Sequence, residues 1–403
     1  MNHTFTKQIT NRIFIITLYF LLAVGASVQP IILGTKTYDT NGKKYNRYNN
    51  YTIFKKSYDH LKNKQDLYTL YPDEYWDLYK YTPTFSVFFG FFHNLPDWLG
   101  LTLWNLLNAF IVLVAIYYLP RLNSEEKGFI LLILSIELMT SMQNAQSNGL
   151  MAGLFVLSFG LLENKKYFLA SLSIVFSIFI KLFGIVGFVL FLFYPKKWKL
   201  IAYSLLLSAI FFIIPLIFVN FNQYLTLLQS YFKLLTNDYS SSYGYSVMGW
   251  LSSWFGLEIN KNIVVFTGII IFLSPLIKIS QYKYFMFRYL TLSSILIWVV
   301  IFNHKAESPT FIIAMTGVSL WFIKSRKDYL NITLFVLAIL LTSLSPTDLF
   351  PKILRENYVI PYTLKAFPCI LIWGKIIYDM IVFHTDNIKT PLTQPQKENW
   401  KKH

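Results

Sequence analysis

Apolar residues gather in successive blocks near the length of a membrane span, with polar connections between them. Read with a window of about twenty residues, the blocks fall near 13–33, 98–119, 129–142, 148–162, 167–183, 184–195, 199–219, 263–279, 287–303, 309–324, 329–345 and 360–383. The pattern predicts an all-α membrane protein, a polytopic bundle of about 10–13 transmembrane helices, with residues 1–383 forming one domain. Blocks 129–142 and 184–195 are short, so tilted, broken or re-entrant helices are expected there. The first block follows Lys7 and Arg12 and continues unbroken to Leu33, which favours an uncleaved anchor over a signal peptide.

Lysine and arginine set the expected orientation. Alternate short connections carry Arg121 and Lys127, then Lys165 and Lys166, then Lys196, Lys197 and Lys199, then Lys278, Lys283 and Arg288, then Lys324, Arg326 and Lys327. The short connections on the other face hold only Lys181, Lys305, Lys352 and Arg355. The positive side is the cytoplasmic one, so both termini are expected inside, and 384–403 reads as a disordered cytoplasmic tail. Two long connections, 34–97 and 220–262, then fall on the outer face, where function is to be sought. Within the first, Tyr51 to Leu67 reads as helix lying on the membrane and Pro83 to Leu95 as a re-entrant or interfacial helix too short to span.

Composition narrows the class. Of 403 residues, 55% are apolar and 14% charged, against about a quarter charged in soluble proteins, which excludes an ordinary cytosolic enzyme. The net charge of +16 fits cytoplasmic loops and anionic lipid headgroups, and no nucleic-acid partner is expected. A single cysteine, Cys369, rules out an internal disulfide and a CxxC metal site. There is no GxxxxGK[ST] loop, no GxGxxG turn, no His pair at metal-ligand spacing and no Asp-x-Asp pair, so neither cofactor nor metal is expected. Richness in Lys, Asn, Ile, Phe and Tyr suits a bacterial chain, hence a plasma membrane.

Charged and amide residues within or at the ends of spans are costly and mark candidate sites, with structural pairing as the competing explanation. Glu137 lies within the third block, near Gln143, and Lys181 closes the fifth; they could neutralise one another. Gln143, Gln146 and Asn148 flank a turn between two helices and read equally as ligands or as caps. In the run from Asn303 to Pro309, Ser308 reads as an N-cap and Pro309 as the first helical residue, which puts a helix N-terminus beside His304 and Lys305. Such an end binds anions, although Lys305 and Glu307 could instead form a surface ion pair. In the second long connection, Asp238, Ser246 and the nearby aromatic residues could contact a sugar or form an interfacial belt.

Several pieces together resemble family 87 of the integral-membrane glycosyltransferases with the GT-C fold. They are Asp66-Leu67-Tyr68, then Tyr81-Thr82-Pro83-Thr84-Phe85, Trp104-Asn105-Leu106-Leu107-Asn108, Ala145-Gln146-Ser147-Asn148 where the family commonly has Gly-Gln-x-Asn, Lys181, Ser246-Val247-Met248-Gly249, and His304 before a late helix. The resemblance implies transfer of a mannose-like hexose from a polyprenyl-phosphate sugar donor to a glycan or glycolipid acceptor on the outer face, with inversion. It implies that Lys181, His304 and Lys305 hold the donor phosphate, with Gln143, Gln146, Asn148, Glu307 and Ser246 contacting substrate. It also implies a carboxylate base early in the first outer loop, but that position holds Asn50, and an amide cannot accept the proton. Asp39, Asp59, Asp66, Glu137 and Asp238 therefore stand as candidate bases. A transporter or flippase of lipid-linked saccharides and a non-catalytic membrane protein are the competing readings.

Overall fold

The computed structural model describes residues 8–38, 42–237 and 243–383. Asp39, Asp238 and the tail 384–403 lie outside the described residues.

Each of the twelve apolar blocks forms helix. They are α1 (Arg12–Leu33), α4 (Asp97–Tyr118), α5 (Ser124–Gln143), α6 (Asn148–Glu163), α7 (Tyr167–Ile180), α8 (Lys197–Ile213), α11 (Lys261–Leu273), α12 (Phe285–Ile301), α13 (Phe311–Lys324), α14 (Tyr329–Leu337), α15 (Phe367–Ile381) and a 3-10 helix, Leu182–Phe193. The first long connection adds α2 (Asn49–Lys62) and α3 (Pro83–His93), and the second adds α9 (Phe221–Asn237) and α10 (Val247–Phe255). Among the described residues, Arg12–Leu33, Asp97–Tyr118 and Lys197–Ile217 are long and apolar enough to cross a membrane unaided. Shorter apolar helices surround them, and the chain is a polytopic all-α membrane protein. A 3-10 helix rises about 2.0 Å per residue against 1.5 Å in an α-helix, so the short block 182–193 gains reach by adopting it.

Helix boundaries follow local chemistry. Asn123 and Glu126 form a reciprocal capping box at the start of α5, at 2.8 and 2.9 Å. Pro83 opens α3 behind the N-cap Thr82, which accepts from Phe85 N. One departure from the helical pattern is a ribbon of two three-residue strands, β1 (Thr35–Thr37) and β2 (Lys44–Asn46), paired antiparallel.

The core lies where α4, α5, α6, α12 and α13 pack together around Trp104, Phe155, Phe159, Tyr289 and Trp321, all fully buried. Glycines allow the closest approaches: a Cβ at Gly317 of α13 would lie 2.6 Å from Ser293 O of α12. By contrast α8 presents Leu205, 67% exposed, and Ile217 just beyond its end is 76% exposed, as suits a lipid-facing surface. Polar pairs join distant segments at depth. Arg288 reaches Glu163 with two nitrogens at 2.6 and 2.8 Å, and Lys324 meets Glu126 at 2.6 Å. Glu137 does not pair with Lys181. Its partner is Lys365, just before α15, at 2.7 Å, with both side chains buried; the two meet because α5 and α15 both pack on α13.

Candidate functional site

A cavity of about 490 Å³ lies where the first long connection meets the apices of three helical hairpins. Three groups of residues line it.

The first group surrounds Lys181, at the apex between α7 and the 3-10 helix. Its Nζ donates to Asn148 Oδ1 at 2.7 Å. Asn148, fully buried at the start of α6, donates in turn to Gln146 Oε1 and to Pro309 O, at 3.1 and 3.0 Å. Gln146 donates to a Glu307 carboxylate oxygen at 3.3 Å. Tyr81 closes this side, its ring 5.6 Å from the Lys181 ammonium and its hydroxyl 3.1 Å from Ser147 Oγ. Lys305, Asn303 and Thr310 complete it. The turn that delivers Gln146 is tight: Ala145 stands at φ 50°, in the left-handed region where glycine is the default, and its carbonyl accepts from Trp104 Nε1 at 2.9 Å.

The second group comprises Lys36, Tyr38 and Arg47 of the ribbon and its ends, Asn49 at the start of α2, and Trp76 from the loop that follows α2. Asn49 clamps the main chain of Trp76 from both sides, donating to its carbonyl at 2.7 Å and accepting from its N–H at 2.9 Å. Burial first, and the nearby Arg47 guanidinium second, lower the pKa of Lys36 from its ordinary value. Burial pushes the Tyr38 hydroxyl up to about 12, with Arg47 opposing the shift.

Asp77, Lys80, Asn50 and Asn144 form the third group. Asp77 adopts φ 77°; its carboxylate accepts from Leu78 N at 2.7 Å and from Lys80 Nζ at 2.8 Å. A non-glycine residue in that region is strained, and such strain collects at functional sites. Asn50 donates to Asn144 O at 2.9 Å.

Of the residues singled out in the sequence, Asn50, Gln146, Lys181, Lys305 and Glu307 line the cavity, and Asn148 supports it from behind. Others are engaged elsewhere. Asp59 pairs with His93 at 3.0 Å, Asp66 accepts from Tyr68 N and from Ser230 Oγ, and Glu137 is held by Lys365. Gln143 turns towards Gln29 of α1. The Ser246 hydroxyl caps α10, accepting from Gly249 N at 3.2 Å and donating to Tyr243 O. His304 shares the loop of Lys305 without lining the cavity. Its carbonyl lies 2.7 Å from where a Cβ would stand on Gly244, at φ 55°, and Tyr245 N donates to Ala306 O; the second long connection thus docks on this loop. Ser308 does not act as the N-cap, which is Glu307. Sequence reasoning missed Lys36, Arg47, Trp76 and Asp77. The only signal was their place in the first long connection, because the ribbon and the positive φ that bring them together have no strong sequence mark. Among the described residues, no three His, Cys, Asp or Glu side chains converge to hold a metal ion.

Fold and cavity together define an integral-membrane protein with a substrate-sized site lined by cations, amides and aromatic rings. The sequence profile of glycosyltransferase family 87 matches residues 79–346, and the chain belongs to that family. It is therefore a transferase enzyme, and the transporter and scaffold readings give way. Comparison with curated proteins gave no match.

Proposed function

We propose that this glycosyltransferase takes a mannose-like hexose from a polyprenyl-phosphate donor and passes it, with inversion, to a hydroxyl of a glycan or glycolipid on the outer face of a bacterial plasma membrane. Both termini are cytoplasmic in this reading. The observation that carries it is the Lys181 ammonium, fixed by buried Asn148 and joined in one cavity by Lys305. A lipid phosphate at this site meets charge-assisted donors where negative charge builds as the sugar departs. GT-C architecture is the expected fold setting.

The acceptor oxygen attacks the anomeric carbon, the bond from that carbon to the phosphate oxygen breaks, and polyprenyl phosphate leaves with the electron pair. The acceptor proton goes to a carboxylate. Asp77 is our choice for this base. It lines the cavity next in the chain to Trp76, whereas Glu307 is tied to Gln146 and serves donor orientation. His304 acts through the loop that carries Lys305. Asn50, Gln146 and Asn148 order the sugar and the phosphate.

The test is transfer of labelled sugar from a panel of polyprenyl-phosphate donors by membranes carrying wild-type protein or Lys181→Ala. Transfer by the wild type with a donor KM raised about tenfold or more in the variant is expected for loss of a charge-assisted contact. Wild-type protein that is correctly inserted yet consumes no donor would overturn the reading.

A further inference from the structure

The ribbon pairs Lys36 with Tyr45, and alternate strand residues share a face. Lys36 and Tyr38 therefore stand on the same side as Tyr45, and Arg47 follows by the same alternation, its N–H donating to Gly34 O as the pairing continues. Trp76 packs on this face, 6.4 Å from Tyr38 at 24° between planes and 6.1 Å from Tyr45. The Lys36 ammonium lies 4.3 Å from the Tyr38 ring centre. Four of these side chains, Lys36, Tyr38, Arg47 and Trp76, open into the cavity. Among the described residues no carboxylate pairs with Lys36 or Arg47, and Asp77 is engaged by Lys80. Two neighbouring cations beside a clamped aromatic plate repel one another until an anion sits between them, and the plate offers a flat apolar surface to the C–H face of a sugar ring.

We infer that the acceptor is an anionic saccharide, bearing a carboxylate or a phosphate, with its charge between Lys36 and Arg47 and its ring on Trp76. The inference rests on the cavity being the transfer site described above, and it names the acceptor class for that site. The acceptor so held presents its hydroxyl towards Asp77, next in the chain to Trp76, while the donor phosphate occupies the Lys181 side.

Matched probes test it on the purified full-length protein in nanodiscs: p-nitrophenyl β-glucuronide against p-nitrophenyl β-glucoside, and mannose 6-phosphate against mannose, titrated calorimetrically. Each anionic probe is expected to bind about tenfold more tightly than its neutral partner. Raising salt from about 50 to 500 mM should erode the difference, and K36A/R47A should abolish it. Trp76→Phe, which keeps an aromatic surface and removes neither cation, should weaken all four probes and keep the preference for charge. A preference by only one pair identifies the anion as carboxylate or phosphate. Equal affinity within both pairs, a preference that survives in K36A/R47A, or no binding of any probe overturns the inference. Donor consumption is measured on the same wild-type sample. Consumption without charge preference removes the acceptor inference and leaves the transfer reading standing, whereas preference without consumption overturns the transfer reading and with it the acceptor role, leaving only a site for anionic saccharides.

Discussion

Replacing Asp77 by Asn separates chemistry from folding at this site. Asparagine tolerates the left-handed region about as well as aspartate, so φ 77° is retained at little cost. Its amide oxygen can still accept from Leu78 N, now at 2.7 Å. What the variant loses is the pair with Lys80, whose side chains are 37% and 50% exposed for Lys80 and Asp77; at such exposure the pair contributes at most about 1 kcal/mol. Loss of a general base costs about 10²- to 10⁴-fold in rate, or roughly 2.7–5.4 kcal/mol at about 1.36 kcal/mol per decade. Chemistry should therefore fall far more than stability. Initial rates of sugar transfer across a donor titration give kcat and donor KM, and the thermal midpoint of the same preparation reports folding. Asp77→Asn is expected to drop kcat at least about a hundredfold with donor KM and midpoint little changed. Glu307→Gln should act mainly on donor KM, and Asp59→Asn, removed from the cavity by its pair with His93, should stay within about twofold. An Asp77→Asn enzyme retaining a third or more of wild-type kcat refutes the assignment, as does a rate loss matched by an equal loss of folded protein.

Two further outcomes follow from residues outside the cavity. Glu137→Gln or Lys365→Met strands a buried charge and should destabilise by about 3–5 kcal/mol, while Glu137→Leu/Lys365→Met together should recover most of it; detergent-solubilised unfolding midpoints check both, and additive losses in the double variant contradict the pairing. His60 bonds Glu74 at 2.9 Å, and burial outweighs that carboxylate in holding the imidazole below its ordinary pKa. The unfolded connection then binds the proton more readily, so stability present above about pH 6.5 is lost as pH falls towards and through the folded value. Proteolysis of the first long connection should accelerate on acidification, and His60→Gln should flatten that dependence.

The spans were legible because a buried or lipid-facing helix must be apolar for most of its length, and all twelve blocks in the sequence are helical. So was α3, announced by the short apolar run from Pro83 to Leu95. The base was not legible. Asp77 is one of several acids in a polar connection, and its place in the cavity depends on a positive φ and on Trp76 being clamped by Asn49 from a distance in sequence. Glu137 drew attention as a carboxylate within an apolar block, but its partner was hidden in Tyr362-Thr363-Leu364-Lys365, where a lone lysine before an apolar run looks like an ordinary flank. Gln143 and Gln146 look alike in the sequence; three residues apart, one faces α1 and the other the cavity, because the left-handed turn at Ala145 falls between them.

The contact between Glu137 and Lys365 also bears on how the chain is made. Lys365 lies beyond the segment that matches the family profile, and Glu137 within it. During synthesis α5 must enter the bilayer long before its counter-charge has left the ribosome. Until then the carboxylate has to wait as a neutral acid or beside a borrowed partner, because a bare charge in hydrocarbon is costly. A chain cut back to the matched segment would keep the cavity-lining residues from Lys80 onward and lose the partner of Glu137. The residues just before the last helix thus supply the counter-charge of a carboxylate made more than two hundred positions earlier in the chain.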